Sequence, residues 1–397
     1  MIPSLHTAGL YIHLPFCLQK CVYCDFCSYT GLEAHYTAYI KALLAEAETR
    51  AEAWSNRSFD TVYIGGGTPT VLPHDLLIEL WQGLERRLPI VSREDREITI
   101  EANPGTVDTL FLASLHEAGI QRVSIGVQSL NDHELALLGR IHRADQARRA
   151  FQMARAAGFE NMSLDLMFGL PGQQLEDWQR SLQQALTLAP EHLSLYCLTV
   201  EPETPLAAQI ASKGMPAPDD DLAAEMYEWA QDLLCAAGYR HYEISNWARL
   251  TAEDERPDLM VPALACRHNL KYWRYESYLG LGVAAHSFDG RRRWANLEDV
   301  SEYIARCGRN QDTTAFCEEL SPEQQLGEAM MLGLRLIAGV SRRDIEARFG
   351  VNLMQVYGAE IERLVQQGLL ESDAHDRIRL TRRGRLLGNR VFAEFLR

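Results

Sequence analysis

The sequence contains no apolar run of the roughly 18–20 residues that a membrane-spanning helix needs. Its opening, "MIPSLHTAGLYIHLPF", lacks the basic leading stretch and long apolar core of a secretory signal. Positive charge is short: 39 Lys and Arg stand against 54 Asp and Glu, a net charge of −15 that repels polyanions and argues against nucleic-acid binding. No basic amphipathic helix stands out, so membrane contact is at most peripheral, through partners. Regular cysteine pairing is also missing. The nine cysteines are odd in number, and Cys197, Cys235, Cys266, Cys307 and Cys317 are scattered. These absences point to the reducing cytoplasm, where clustered cysteines serve as metal ligands or redox groups more often than as disulfides. What remains, 397 residues at 47% hydrophobic and 23% charged, suits one large globular domain with a smaller companion.

Over the first 250 residues, β-rich apolar runs alternate with helical periodicity. The strands expected are "LYIHLP", "TVYIGGG", "EITIEANP", "RVSIGVQS", "NMSLDLMFGLP" and "HLSLYCLTV". Between them lie helical segments such as "PHDLLIELWQGLERRL" and "TVDTLFLASLHEAG", the latter closed by Gly119. Six βα units in succession imply a parallel sheet with right-handed crossovers. Six falls short of a closed eight-fold barrel, so the expected fold class is α/β, an open partial (β/α)6 barrel. The strands end in polar or glycine residues: Gly65–Thr68, Glu101 with Asn103, Gln128 with Ser129, and Asp165. That rim is where ligands bind in parallel barrels.

Beyond residue 249 the pattern changes. "RLTAEDERPDLMVPALA" reads as an inserted surface loop. From Ser321 the order helix, helix, helix, β-hairpin describes a winged-helix-like α+β unit. Residues 341–397 hold eleven Arg against eight Asp and Glu, too mildly basic for DNA; packing or partner docking is the expected role.

The densest chemistry is in "YIHLPFCLQKCVYCDFCSY", with Cys17, Cys21, Cys24 and Cys27 spaced x3, x2 and x2. Structural zinc sites take four ligands, usually as two separated pairs; here all four cysteines crowd one loop. An iron–sulfur cubane accepts closely spaced thiolates from a single loop. The C-x3-C-x2-C spacing resembles the radical S-adenosylmethionine (SAM) superfamily. That resemblance implies a [4Fe–4S] cluster on Cys17, Cys21 and Cys24, with one iron open to chelate SAM, whose sulfonium bond is cleaved by an electron from the cluster. A fourth ligand would close that iron, so Cys27 is expected to stay out. "YIGGGTPT", "ITIEANP", "SIGVQS", "LLGRIH" and "SLDLMFGLPGQ" are similar to segments of the oxygen-independent coproporphyrinogen III oxidase branch. Carried over, they imply a SAM pocket lined by Tyr11, Tyr23, Gly66, Gly67, Thr68, Glu101, Gln128, Arg140 and Asp165. Carboxylates suit ribose hydroxyls, and Arg140 suits the SAM carboxylate.

Two features depart from the oxidases. They carry a further cysteine two residues after the third, where this chain has Phe26, and they have a longer segment ahead of the cluster. "HNLKYW" is similar instead to the H-N-x-x-Y-W motif of HemW-type haem chaperones. This implies haem as cargo, contacted by His268, Asn269, Tyr272 and Trp273. An imidazole ligates iron, while Tyr and Trp offer flat faces to a porphyrin. Arg267 and Lys271 could meet propionates, and Cys266 is a rival ligand. The implied function is delivery of haem to haem-requiring, respiratory proteins, a chaperone's role rather than an enzyme's, with chemistry by cluster and SAM left open. The alternative is oxidative decarboxylation of coproporphyrinogen III. Expected boundaries are 1–250 for the radical SAM partial barrel, 251–310 for the haem-motif loop and connecting segment, and 311–397 for the winged-helix-like domain. Apolar surface left by an incomplete barrel favours a homodimer.

Overall fold

The computed structural model describes residues 7–255, 260–373 and 376–396. Its centre is six parallel strands: β1 (Thr7–Leu14), β2 (Ser58–Gly66), β3 (Glu97–Ala102), β4 (Arg122–Gln128), β5 (Asn161–Phe168) and β6 (His192–Cys197). All six lie where β-rich runs stand in the sequence, and each crossover carries a helix. The sheet does not close. β6 is followed by the antiparallel hairpin β7 (Tyr239–Glu243) and β8 (Asn246–Arg249). Against the other side of β1 lies a further parallel strand, β9 (Tyr278–Leu281), then antiparallel β10 (His286–Phe288), β11 (Arg292–Asn296) and β12 (Thr314–Glu319). The result is a 12-stranded open sheet with β12 and β7 at its edges.

Side chains alternate faces along a strand, and here the alternation sorts polarity. Leu10, Ile12, Val62, Ile64, Ile98, Ile100, Val123, Ile125, Leu164, Leu193 and Leu195 belong to one buried apolar core with the outer helices. The intervening positions are polar. Thr61, Tyr63, Glu101, Arg122, Ser124, Ser163, Asp165, His192 and Ser194 face the concave side, where they bond one another or line the lumen. A filled barrel interior is apolar; this one is polar, as an interior shaped around a ligand should be.

The C-terminal unit packs Leu326, Met330, Ile345, Tyr357, Ile361, Leu364 and Ile378 into a second core. Its helices Pro322–Gly333, Arg342–Phe349 and Leu353–Gln366 and its strands β13 (Val340–Ser341), β14 (Leu370–Ser372) and β15 (Arg377–Leu380) form the winged arrangement. Ser321 caps the first helix by accepting the Gln324 N–H. Several of its arginines are paired within the chain: Arg342 with Asp376, Arg379 with Glu371, Arg382 with Asp232. Among the described residues no helix is long and apolar enough to cross a membrane.

The expected loop at 249–265 contains a short helix, Ala252–Glu255, and the buried Asp254 accepts the N–H groups of Thr251 and Ala263. Residues 256–259 lie outside the described residues. "HNLKYW", expected in a loop, is a helix, Arg267–Trp273. Tertiary burial of its inner face makes it so, because seven residues are too few to be helical alone.

Glu46 welds the β9–β12 extension to the barrel. It is buried in the helix Tyr36–Ala51, where it accepts the Gly282 N–H, the Tyr303 hydroxyl, the Asn296 amide and the Thr313 hydroxyl. Glu46→Ala leaves buried donors unmatched and is expected to cost about 3 kcal/mol. Urea denaturation measures it; a loss below about 1 kcal/mol would remove this weld from the account.

Candidate functional site

The cysteine loop leaves β1 at its C-terminal end and is stitched to the glycine turn that ends β2. Gly67 N–H donates to Leu14 O at 2.9 Å, and Thr68 N–H to Phe16 O at 2.8 Å. A Cβ on Gly67 would stand 2.6 Å from Phe16 O, and one on Gly66, at φ +114°, 2.7 Å from the His13 ring. Glycine is required at both. The same glycine turn whose backbone the resemblance aims at SAM thus also holds the loop. On the far side, Val22 N–H donates to Leu138 O at 3.3 Å and Leu206 N–H to Val22 O at 2.9 Å.

Within the loop the thiols divide. Cys17 Sγ lies 3.7 Å from the Thr68 hydroxyl. Cys21 Sγ accepts from Arg140 Nη1 at 3.3 Å. Burial pushes the Cys17 and Cys24 thiols up, and Cys21 is a repulsive neighbour of both. Cys27 faces elsewhere: its Sγ is 3.4 Å from the Tyr29 hydroxyl, which donates to Glu298 O. Burial raises its thiol as well, but the anion that adds to this is Glu298, not another cysteine. Among the described residues no three His, Cys, Asp or Glu side chains converge on a single metal ion. A zinc site needs sulfurs at about 2.3 Å from one centre, whereas a cubane spreads its thiolates over separate irons. Three thiols carried by one short loop are a donor set of the kind a cubane accepts.

The remaining rim residues gather at this mouth. Glu101 accepts the Tyr63 hydroxyl at 2.9 Å and the Gly66 N–H at 3.1 Å. Asp165 accepts the Ser124 hydroxyl on both oxygens at 3.0 Å. Gln128, at φ +66°, and Arg140 both approach Gly126. Burial raises the Tyr23 phenol, whose neighbours are Cys21, Arg140 and Cys24. Tyr11 donates to His13 Nδ1 at 2.9 Å, so His13 Nε2–H donates to Cys27 O at 2.8 Å. Tyr11, Tyr63, Glu101, Gln128, Arg140 and Asp165 all keep partial exposure, as lining residues do.

The helix Arg267–Trp273 sits at the other end of the lumen. His268 is 1% exposed, with Nδ1 2.9 Å from the Thr61 hydroxyl and Nε2 2.9 Å from the Tyr272 hydroxyl. Its ring approaches Gly9 near the start of β1, and its N–H donates to Glu97 at 3.2 Å. Burial, then the Lys271 cation, lowers its pKa to about 3. Lys271 is committed to Asp60 at 2.8 Å and Glu276 at 3.2 Å. Cys266 is buried, with Sγ 3.7 Å from Glu97. Asn269, Tyr272 and Trp273 are half-buried, and the Arg335 guanidinium lies 4.3 Å over the Trp273 ring. At about 3.3 Å per residue, the strands separate this helix from the cysteine loop by about 15–20 Å. The two candidate sites are therefore at opposite ends of one lumen, joined through Tyr63, whose ring lies 5.4 Å from His268 and whose hydroxyl bonds Glu101.

Sequence reasoning by strand ends missed Thr61, Tyr63, Ser124, Ser163, His192 and Ser194. Their signal was available: a polar residue at every second position of "TVY", "RVSIG", "NMSLD" and "HLSLY".

Residues 11–185 match the radical SAM superfamily and residues 320–387 the HemN C-terminal domain. The chain is 37% identical to "Heme chaperone HemW" of Bacillus subtilis over 97% of this chain and 98% of that protein. It is 36% identical to the Escherichia coli protein of the same name over 99% of each. A mouse protein, "Radical S-adenosyl methionine domain-containing protein 1, mitochondrial", is 36% identical over 92% of this chain and 82% of its own length. Among solved structures, Escherichia coli coproporphyrinogen III oxidase (HemN), titled a radical SAM enzyme, superimposes with a TM-score of 0.83. It covers 98% of this chain and 90% of its own, at 23% identity, a likeness of fold.

Burial, with Asp165 adding to it, raises the Glu101 carboxyl from 4.5 to about 7. Folded Glu101 therefore holds its proton more tightly than the unfolded chain does. Its contribution to stability is full below about pH 4.5 and is lost as pH rises through about 7, a change of about 3 kcal/mol. Glu101→Gln should flatten that part of the stability–pH profile, leaving the fall due to Glu243, which burial also raises to about 7. An unchanged profile would contradict the environment assigned to Glu101.

Proposed function

The chain belongs to the HemW family of haem chaperones within the radical SAM superfamily, and from that premise we propose that it binds haem as cargo and passes it to haem-requiring respiratory proteins. A [4Fe–4S] cluster on Cys17, Cys21 and Cys24, with SAM beside it, completes the reading. The observation that carries it is the division of the loop's thiols, three in one electrostatic neighbourhood and Cys27 turned to Tyr29. When bound, such a cluster supplies one open iron for an amino-acid chelator and a source of single electrons.

The chain's own residues prepare that corner. Gly66, Gly67 and Thr68 clamp the cysteine loop, while Tyr11, through His13, fixes the Cys27 carbonyl. Glu101 and Asp165 offer acceptor oxygens to ribose hydroxyls, and Gln128, Tyr23 and Arg140 close the side of the pocket. Arg140 also has a buried Nε without a partner, a donor suited to a ligand carboxylate.

At the other end, burial keeps the His268 imidazole neutral, the form that ligates iron. Both its nitrogens are engaged, so to ligate iron through Nε2 His268 would have to release the Tyr272 hydroxyl. Tyr272 and Trp273 then offer ring faces, with Asn269 beside them, and Arg267, exposed but shared with Asp60 at 3.4 Å, is the more accessible cation for a propionate, Lys271 being buried between Asp60 and Glu276. Residues 1–250 hold the cofactors in this reading, 251–310 present the cargo motif, and 311–397 back it through Arg335 on Trp273.

Haem titration followed at the Soret band tests this on the purified full chain. Wild type should bind about one haem, and His268→Ala should weaken it by about tenfold or more. Identical titrations would remove His268 as the ligand. Formation of protoporphyrinogen from coproporphyrinogen III by the anaerobically reconstituted protein with SAM would overturn the chaperone reading.

A further inference from the structure

Arg140 is held in place by its surroundings more firmly than contact with a passing ligand requires. The turn that carries it is bound to the cysteine loop: Val22 N–H donates to Leu138 O, and Gln19 Nε2 donates to Gly139 O at 3.0 Å. Gly139 is at φ +70°, and a Cβ there would press on Val22 at 3.1 Å. Turn and loop therefore move as one piece. The guanidinium is anchored from the barrel side too, where Nη2 donates to Gly126 O at 2.7 Å. Its other arm, Nη1, reaches Cys21 Sγ at 3.3 Å.

This cation is largely buried, and a buried charge needs a counter-charge. Among the described residues no Asp or Glu pairs with it; the ionisable groups that favour its charge are Cys21 and Tyr23. Of the two, Cys21 is the one that becomes a thiolate on ligating iron, and its Sγ lies 3.3 Å from Nη1. A cationic N–H donor aimed at a cluster thiolate draws charge from the iron core and makes the reduced, more negative state easier to reach.

We propose that Arg140 is the counter-charge of the Cys21 thiolate and raises the reduction potential of the cluster, as a positioning residue whose effect precedes any contact with SAM. This rests on the assignment of Cys21 as a cluster ligand in the proposed function.

An EPR-monitored redox titration of the anaerobically reconstituted full chain without SAM tests it. At a fixed solution potential, Arg140→Gln should lower the ratio of reduced to oxidised cluster at least tenfold, which for one electron is 59 mV. Midpoints equal to wild type at wild-type iron content would overturn the proposal, and would leave Arg140 a SAM contact only. Should Arg140→Gln fail to hold iron, Arg140→Lys decides. Iron retained by the lysine variant supports a role for charge, whereas loss in both overturns it. A wild-type chain that holds no cluster would instead sink the underlying ligand assignment.

Discussion

The Gly66–Gly67 turn packs so closely against the chain at His13 and Phe16 that no side chain fits between them. The rest of the mouth is built on that contact. It ties the end of β2 to the end of β1 through the Leu14 and Phe16 carbonyls, and so fixes the direction in which the cysteine loop departs. Thr68, the next residue, reaches Cys17, while Glu101 grips Gly66 from β3. A loop this short can order three thiols on one side only if both its ends are fixed. The second anchor is the Leu138–Arg140 turn, joined to Gln19, Cys21 and Val22.

The polar lumen beneath the mouth is costly to bury, and the chain offsets the cost locally. Serines on β4, β5 and β6 bond Asp165 and His192, and Tyr63 bonds Glu101. Where solvent is excluded the charges yield: Glu101 and Asp165 are pushed up, and His268 and His192 are pushed down. The lumen's acids are thus biased toward their protonated forms and its histidines toward their neutral ones. Its floor is the helix Arg267–Trp273, gripped from below by the C-terminal unit, where Arg348 donates to Arg274 O. Any change at that floor is therefore felt by both units.

Much of this architecture was legible in the sequence, for identifiable reasons. The six central strands are apolar-rich runs of six to nine residues bounded by turn residues, and the winged unit declares itself through the Ser321 cap and its helix–helix–hairpin order. The β9–β12 extension was not legible. Its strands are short, β11 opens on two arginines and β12 is mostly exposed, so none shows a clear apolar alternation. The motif helix is short and has no side-chain cap; only burial of His268 and Leu270 makes it helical. At the mouth, spacing brought the cysteines to notice, but spacing says nothing of which way each thiol faces. That depends on the partner of each: the distant Thr68 for Cys17, the distant Arg140 for Cys21, and for Cys27 the nearby Tyr29, itself held by Glu298.

The central claim is that three sulfurs of this loop hold one inorganic core and the fourth has no part in it. Iron and sulfide analysis of anaerobically reconstituted wild type, Cys21→Ala and Cys27→Ala tests it most directly. About four irons per chain are expected in wild type and Cys27→Ala alike, and their loss in Cys21→Ala. Equal loss in Cys27→Ala, or zinc in place of iron throughout, would contradict it.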